Sequence, residues 1–163
     1  MRHLPTNVLD ELDRKILAEL QTDGRISNQE LSDRVGLSPS PCLRRLGQLE
    51  SSGTISRYVA LVDPAAVGLP VTAFVRVRLG QQDDYHLREF ECAIAGFREV
   101  MECYLMTGDA DYQLRVVVRS LSEFEDFLRL KLTRMGCVSQ VTTSFALRPV
   151  IYKTALPIQD TEA

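Results

Sequence analysis

The sequence predicts an α+β protein of two small domains, and two changes of hydrophobic period predict it. In the first third, apolar residues recur at helical spacing in three segments. In the second half, four alternating segments are separated by two helical ones, in the order βαββαβ, which is the ferredoxin-like split. We therefore expect a helix-turn-helix domain over residues 1–53, a strand and linker over 54–69, and a ferredoxin-like domain over 70–163.

Composition excludes several classes of protein. The 163 residues are 45% hydrophobic and 25% charged, without the apolar run of about 18 residues that a membrane span needs. The N-terminus has no signal-peptide pattern, and the four cysteines form no CxxC pair, so we expect a cytoplasmic protein. Two histidines are too few for a metal cluster, and no candidate nucleophile has an adjacent base, so we expect neither a metal nor an enzyme.

The net charge of −3 is unevenly distributed. Residues 1–60 carry eight basic and eight acidic side chains, so the rest of the chain holds the whole negative charge. Residues 34–49 contain three arginines and no acidic residue. This local positive charge is a small footprint of the kind that attracts nucleic acid.

The first predicted helix covers residues 10–22. Leu9, Leu12, Ile16, Leu17 and Leu20 form one apolar stripe along it. The second helix begins at residue 27, where the sequence SNQE is a capping box, and ends at a glycine at residue 36.

The third helix begins after Ser38, with Pro39 at its first position, where no amide hydrogen is needed. We expect Leu43, Leu46 and Leu49 to form its buried row. Only Gly36-Leu37 separates it from the second helix, which is the short turn of a helix-turn-helix. Its exposed side chains, which suit phosphates and base edges, would be Ser40, Arg44, Arg45 and Gln48. The alternative is a small helical bundle with a solvated polar face.

Residues 54–61 alternate like a strand before the linker. In the second half, neither face of the predicted strands is cleanly polar. Met101 and Cys103 alternate with Val100 and Tyr104, and Phe74 lies opposite residues that we expect to be buried. Because both helices of a ferredoxin-like fold cover one face of the sheet, a half-apolar second face needs another partner. A second copy of the chain, giving a two-fold dimer, is the simplest.

Two blocks of sequence resemble one family when they are taken together. The first is VGLSPSPCLRR at residues 35–45, and the second is TGDADY at residues 107–112, on a predicted hairpin. With LDRKIL at residues 12–17, they resemble the leucine-responsive/asparagine (Lrp/AsnC) transcription regulators over about residues 8–158. Residues 100–109 and 152–157 look most like the branch that controls branched-chain amino-acid breakdown.

The resemblance implies a winged helix-turn-helix and a RAM/ACT-like domain that dimerises, and often forms tetramers or octamers, around an amino-acid effector. It implies DNA contacts at Ser38, Pro39, Ser40, Arg44 and Arg45, to which the helix face adds Gln48. The effector pocket would lie between dimers, with hairpin residues from one subunit and the last strand from a neighbour. Its expected members are Met106, Thr107, Gly108, Asp109, Asp111, Tyr112, Ser144, Phe145 and Leu147.

The chemistry of a free amino acid suits the hairpin. Asp109 or Asp111 can hold the ammonium, and the backbone at Gly108 can donate amides to the carboxylate. The alternative is an ordinary turn in which both aspartates bond local amides. Two carboxylates on a turn lack the further ligands of a Ca²⁺ or Mg²⁺ site.

The sequence therefore predicts a sequence-specific DNA-binding regulator whose assembly responds to leucine, methionine or a branched-chain amino acid, with no other cofactor. An effector-independent architectural DNA-binding protein is the alternative, and a sensing subunit whose helical half binds protein is a third. Cys42, beside Arg44 and Arg45, could have a lowered pKa and be a reactive thiol.

Overall fold

A computed structural model describes residues 9–158, which form one helical unit and one sheet unit. The helical unit contains residues 9–61 and 151–158, and the sheet unit contains residues 62–150. No helix in the described range is long and apolar enough to cross a bilayer. The helices are α1 (Glu11–Thr22), α2 (Asn28–Val35), α3 (Pro39–Ser51), α4 (Asp84–Ala95) and α5 (Leu121–Leu130), and the strands are β1 (Val71–Leu79), β2 (Val100–Leu105), β3 (Tyr112–Val118) and β4 (Val138–Phe145).

The caps of the first two helices follow from their sequence. The Asp10 carboxylate accepts a hydrogen bond from the amide of Asp13 at 2.8 Å, and the Asp13 carboxylate accepts one from the amide of Asp10 at 3.3 Å. Ser27 caps α2 by accepting from the amide of Glu30, and α2 ends at Gly36, whose φ of 72° is the left-handed conformation that glycine adopts without strain. These ends bring α3 onto α2 through a short turn.

The buried row of α3 differs from the prediction. Leu43 is 58% exposed, whereas Cys42 is fully buried and Leu49 is 3% exposed. Leu46 is partly buried against the same core. The prediction for Leu43 is wrong because it counted leucines alone, and cysteine is among the most buried residue types. The inward row is therefore 42, 46 and 49.

Residues 151–158 belong to the helical unit. The Gln21 side chain of α1 donates to the carbonyl of Leu156 at 3.1 Å and accepts from its amide at 2.6 Å. Ile158 packs against the helical core. The sequence-based boundary assigned all of residues 70–163 to the second domain, whereas residues 151–158 contribute backbone and side-chain contacts to the first.

The predicted strand over residues 54–61 is not formed, so that prediction is wrong. The Ile55 amide donates to the carbonyl of Leu49, and its side chain packs on the helical core. Beyond it, the Tyr58 hydroxyl donates to Glu50 at 3.0 Å. A strand needs a neighbouring strand to complete its hydrogen bonds, and the described helical unit offers none.

The sheet unit has the predicted βαββαβ order, with the strands in the spatial order β2-β3-β1-β4 and all neighbours antiparallel. Phe90 of α4 and Phe124 and Phe127 of α5 pack in one core with the inward residues of the strands. Both helices therefore cover the same face of the sheet, and the expected fold class is confirmed.

The second face of the sheet is mixed in character. Phe74 and Tyr104 are exposed on it, and so are Arg76 and Arg78 of β1. A shift of register follows Val100, so Val100 lies on the same face as Cys103 rather than on that of Tyr104. Simple alternation failed there because a β-bulge adds one residue to the strand.

Candidate functional sites on α3 and the hairpin

The outer face of α3 is exposed along its whole length. Arg44 makes no ion pair or hydrogen bond with any other side chain of residues 9–158. No acidic residue lies in the first turn of α3. The exposed members recur at helical spacing and are Ser40, Leu43, Arg44, Gly47 and Gln48, which we call the outer face.

The N-terminus of α3 can offer one backbone amide in its first three positions, that of Ser40, because Pro39 and Pro41 have no amide hydrogen. Among the five α-helices of residues 9–158, only α3 has no side-chain cap, because the Ser38 hydroxyl accepts no amide there. Pro39 occupies the first turn, and its carbonyl accepts from the Asn28 side chain of α2 at 3.0 Å. An uncapped helix start with positive partial charge suits a phosphate.

Arg45 lies on the inner side of α3, towards α1. Its guanidinium binds the carboxylates of Asp10 at 2.6 Å and Asp13 at 2.8 Å, and its side chain is 23% exposed. The hydrogen bonds to these two carboxylates raise the pKa of Arg45. The DNA contact of Arg45 stays a prediction, and the carboxylates of Asp10 and Asp13 would compete with DNA for its guanidinium.

Cys42 does not fit the reactive-thiol interpretation. The side chain is fully buried, and burial raises the pKa of its thiol rather than lowering it. The nearby arginine charges act elsewhere, since Arg45 binds two carboxylates. Cys42 is a small apolar member of the helical core.

The hairpin between β2 and β3 is fixed at its base by Asp111. Its carboxylate accepts from the amide of Leu79 at 2.7 Å and from the side chain of Gln82 at 2.7 Å. Its backbone bonds Val77 and Met106. The Asp111 carboxylate is thus engaged within the fold and ties the hairpin to the end of β1.

Tyr112 is a core residue of the sheet unit. It is 1% exposed, and its ring lies 4.5 Å from that of Phe90, centroid to centroid. Its hydroxyl donates to Glu91 at 2.8 Å, and burial with this bond raises its pKa. The ring lies on the covered face of the sheet, so it supports the hairpin from below.

The tip of the hairpin is open to solvent. Gly108 has a φ of 114°, a conformation that favours glycine. The exposed residues of this segment are Met106, Thr107, Gly108 and Asp109. They are the predicted effector residues that remain accessible.

The other predicted half of the pocket lies elsewhere in the sheet. Ser144 and Phe145 pair with the start of β1, whereas the hairpin joins its end. Phe145 is 44% exposed and packs edge-on against Phe124, while Leu147 is fully exposed. Within one described chain, the two halves do not meet, so the role of a neighbouring subunit stays a prediction.

A small polar cavity adjoins the hairpin tip. Its volume is about 120 Å³, and it is lined by Asp109 and Ala110 of the hairpin, Arg76 and Arg78 of β1, and Gln140 and Thr142 of β4. One carboxylate and two guanidinium groups can together bind a zwitterion. Sequence reasoning missed the two arginines, although their spacing of two on β1 placed both on one face.

No group of three or more histidine, cysteine, aspartate or glutamate side chains comes together as a metal site within residues 9–158.

The fold and these surfaces define a class of protein, a DNA-binding transcriptional regulator with a ligand-binding domain. Residues 9–56 match the family model described as winged helix-turn-helix DNA-binding, and residues 72–156 match the Lrp/AsnC ligand binding domain. The chain belongs to the Lrp/AsnC family of regulators. Its relatives and domains are regulators and not enzymes.

Several relatives match nearly the whole chain. The leucine-responsive regulatory protein of Rhizobium meliloti is 42% identical over 87% of this chain and 91% of its own length. The Bkd operon transcriptional regulator of Pseudomonas aeruginosa is 41% identical, covering 92% and 98%. A transcriptional regulator of Neisseria meningitidis, solved as an L-Met complex, has a TM-score of 0.87 at 39% identity, covering 92% of this chain and 97% of that one.

Proposed function

We propose that this chain is a sequence-specific transcriptional regulator whose assembly and operator binding respond to a small amino acid. The observation that carries the proposal is the cavity of about 120 Å³ at the hairpin tip, where Asp109 adjoins Arg76 and Arg78. An amino acid presents an ammonium and a carboxylate, and these side chains offer the opposite charge to each. The effector is leucine, methionine or a branched-chain amino acid; the neisserial relative was solved with L-Met.

In this proposal, the hairpin residues have two kinds of role. Asp109 binds the ammonium, and Thr107 with the backbone at Gly108 binds the carboxylate beside the arginines. Asp111 and Tyr112 stabilise the conformation of the hairpin. Asp111 accepts from the amide of Leu79, and the Tyr112 hydroxyl donates to Glu91. Met106, with Ser144, Phe145 and Leu147 from a neighbouring subunit, completes the wall around the side chain.

DNA binding is assigned to α3. Ser38, Pro39 and Ser40 at its start meet a phosphate, and Arg44 and Gln48 reach the major groove from the outer face. Arg45 can contact a phosphate only if it leaves Asp10 and Asp13, so we assign it a smaller contribution to DNA affinity than Arg44. The salt dependence of DNA affinity reports the number of phosphate contacts.

The regulator acts as a homodimer that assembles to a tetramer or octamer in the cytoplasm. Supporting this, the segment after the helical core exposes Val59, Leu61 and Val62, each more than 60% accessible. Phe74 adds an exposed ring on the sheet. Exposed apolar groups of this extent are typical of association surfaces.

The mechanism is thermodynamic linkage. An effector that binds at the contact between dimers, with different affinity in two assemblies, must shift the balance between them. Operator binding then changes because half-sites are read in register with the assembly. The effector needs no contact with DNA.

An architectural protein without an effector is the second candidate. It is favoured by the internal bonds of Asp111 and the burial of Tyr112, which account for two of the predicted effector residues as parts of the fold. Such a protein would bind DNA with no response to any amino acid.

A melting screen with all twenty amino acids separates the two candidates. A ligand at 100 times its Kd stabilises the protein by about 2.7 kcal/mol, which a thermal shift detects. Asp109→Ala should abolish the shift while DNA binding persists. Glu125→Ala, which removes an exposed carboxylate on α5, is the matched control and should respond normally. A wild-type chain with no shift at millimolar ligand would favour the architectural candidate.

A further inference from the structure

Two residues of the outer face of α3 have no explanation within the protein. Leu43 is 58% exposed on a helix whose core row is already complete. Gly47 lies one turn further along the same face, in the interior of a helix that glycine destabilises relative to alanine. Neither contributes to the packing of the helical unit.

Gly47 is not required by its own conformation or by close packing. Its φ is not in the left-handed region, and a Cβ placed there would meet nothing within 4 Å. Alanine would therefore fit the folded chain and favour the helix. A glycine in such a place leaves room for an external group that approaches the backbone closely.

Leu43 and Gly47 lie between polar residues that suit DNA. Arg44 adjoins Leu43 on the outer face, and the uncapped start of α3 precedes both. The first turns of α3 carry no acidic side chain that would repel a phosphate. The charge of this face therefore fits a DNA groove, and the two residues lie at its centre.

We propose that Leu43 contacts a thymine methyl group in the major groove, and that Gly47 allows the backbone of α3 to approach the base pairs closely. The methyl group of thymine is the one apolar feature of the major-groove edge, and an aliphatic side chain recognises it without a hydrogen bond. This specificity contact rests on the proposed placement of α3 in DNA. It predicts a thymine preference at one position of each half-site.

The experiment uses the full chain and a duplex pool with about 20 randomised base pairs, enough for two half-sites one helical turn apart. The sequence that the wild type selects is then remade with deoxyuridine, which lacks the methyl group, at each thymine in turn. One substitution in each half-site should weaken wild-type binding about fourfold, the value of one buried methyl group. Leu43→Ala removes the contact from both half-sites, so it should bind about fifteenfold more weakly and no longer distinguish deoxyuridine from thymine.

Gly47→Ala gives opposite signs for stability and binding. Its melting temperature should rise by about 5 °C, while its affinity for the selected duplex falls about tenfold. Because the variant folds more stably, weaker binding cannot be due to unfolding. Unchanged affinity would overturn the close approach at Gly47.

Two controls separate this inference from the proposal on which it rests. Leu121→Ala removes an equally exposed leucine from α5 and should change neither melting nor binding. If Arg44→Ala weakens binding while Leu43→Ala retains full thymine discrimination, the leucine contact is overturned and the placement of α3 stands. If Arg44→Ala and Leu43→Ala both bind like the wild type, both the leucine contact and the placement of α3 in the major groove are overturned.

Discussion

The two units of this chain are stabilised in different ways. In the described residues, the sheet unit has fourteen buried members in its core, among them the rings of Phe90, Tyr112, Phe124 and Phe127. The helical unit has six, none of them aromatic. Its helices are joined by ion pairs: Arg45 links α3 to α1, and Arg34 binds Glu19 of α1. The sheet unit also has ion pairs between elements, from Arg115 to Glu102 and from Lys131 to Glu99, in addition to its larger core.

The difference shows what the arginines of a small DNA-binding unit do. Arg34 and Arg45 each bind two carboxylates, so much of the positive charge counted in residues 34–49 acts between helices. Arg44 is the one of the three arginines that has no acidic partner among residues 9–158. A charge count along the sequence therefore overstates the cationic surface.

The largest expected effect tests whether the units are independent. Phe90→Ala should cost about 3–5 kcal/mol, because it opens a cavity beside Tyr112 in the larger core. Amide hydrogen exchange should show lost protection in β1 and β3, with α1 to α3 unchanged. An equal loss of amide protection in both units would mean that they unfold together. The difference between their cores would then not make one unit more stable than the other.

The contacts of residues 151–158 with α1 should have the next largest effect on the free energy of unfolding. Gln21→Ala with Ile158→Ala removes two hydrogen bonds and a half-buried side chain, which together should cost about 2 kcal/mol. The loss should appear as faster exchange in α1. Val150→Ala is the control, since that side chain is 77% exposed. A double variant as stable as this control would show that residues 151–158 contribute nothing.

Arg44 and Arg45 should separate binding from stability. Arg45→Ala should cost about 1 kcal/mol, a small value because the Asp10 side chain is 49% exposed and screened by water. Arg44→Ala should leave melting unchanged, weaken binding to the selected duplex by about 1–3 kcal/mol and relax specificity at one position of each half-site. If Arg45→Ala reduces the slope of log affinity against log salt, Arg45 leaves its carboxylates when DNA binds.

The smallest effect depends on pH. The amide of Asp13, followed by the Arg45 guanidinium, lowers the pKa of Asp10 in the folded chain. Since the folded pKa is below the unfolded one, this stabilisation is complete above about pH 3.9 and is lost as the pH falls further. The difference in melting between wild type and Asp10→Asn should therefore shrink below that pH. A constant difference would mean that the charge of Asp10 adds no stability, either through the bond from the Asp13 amide or through Arg45.

Much of the fold follows from local patterns. The Ser27 cap of α2, the glycine after it and the alternation of β1 act over a few residues, so the sequence predicts them directly. The reciprocal half of the predicted capping box is not formed, because Glu30 pairs with Arg34 instead. Errors arose where a distant or unusual partner decides the outcome. Residues 54–61 alternate like a strand but have no strand beside them, and the bulge after Val100 shifts the faces of β2.

The candidate sites were predictable in outline only. The motif at residues 107–112 located the hairpin, but the burial of Tyr112 and the bonds of Asp111 depend on α4 and β1. Arg45 is expected on the exposed face because the leucines of α3 are assigned to the other side, although helix geometry places it about 100° from Arg44. Contacts between elements, which sequence spacing does not contain, determined these three roles.

The return of residues 151–158 to α1 has a consequence for protein engineering. Regulators of this kind invite chimeras in which the DNA-binding half of one is joined to the sensor of another. A crossover at the linker alone would exchange the partner of Gln21 and the Ile158 contact for foreign residues. A chimera that keeps the DNA-binding unit intact must therefore carry two segments, residues 9–61 and residues 151–158.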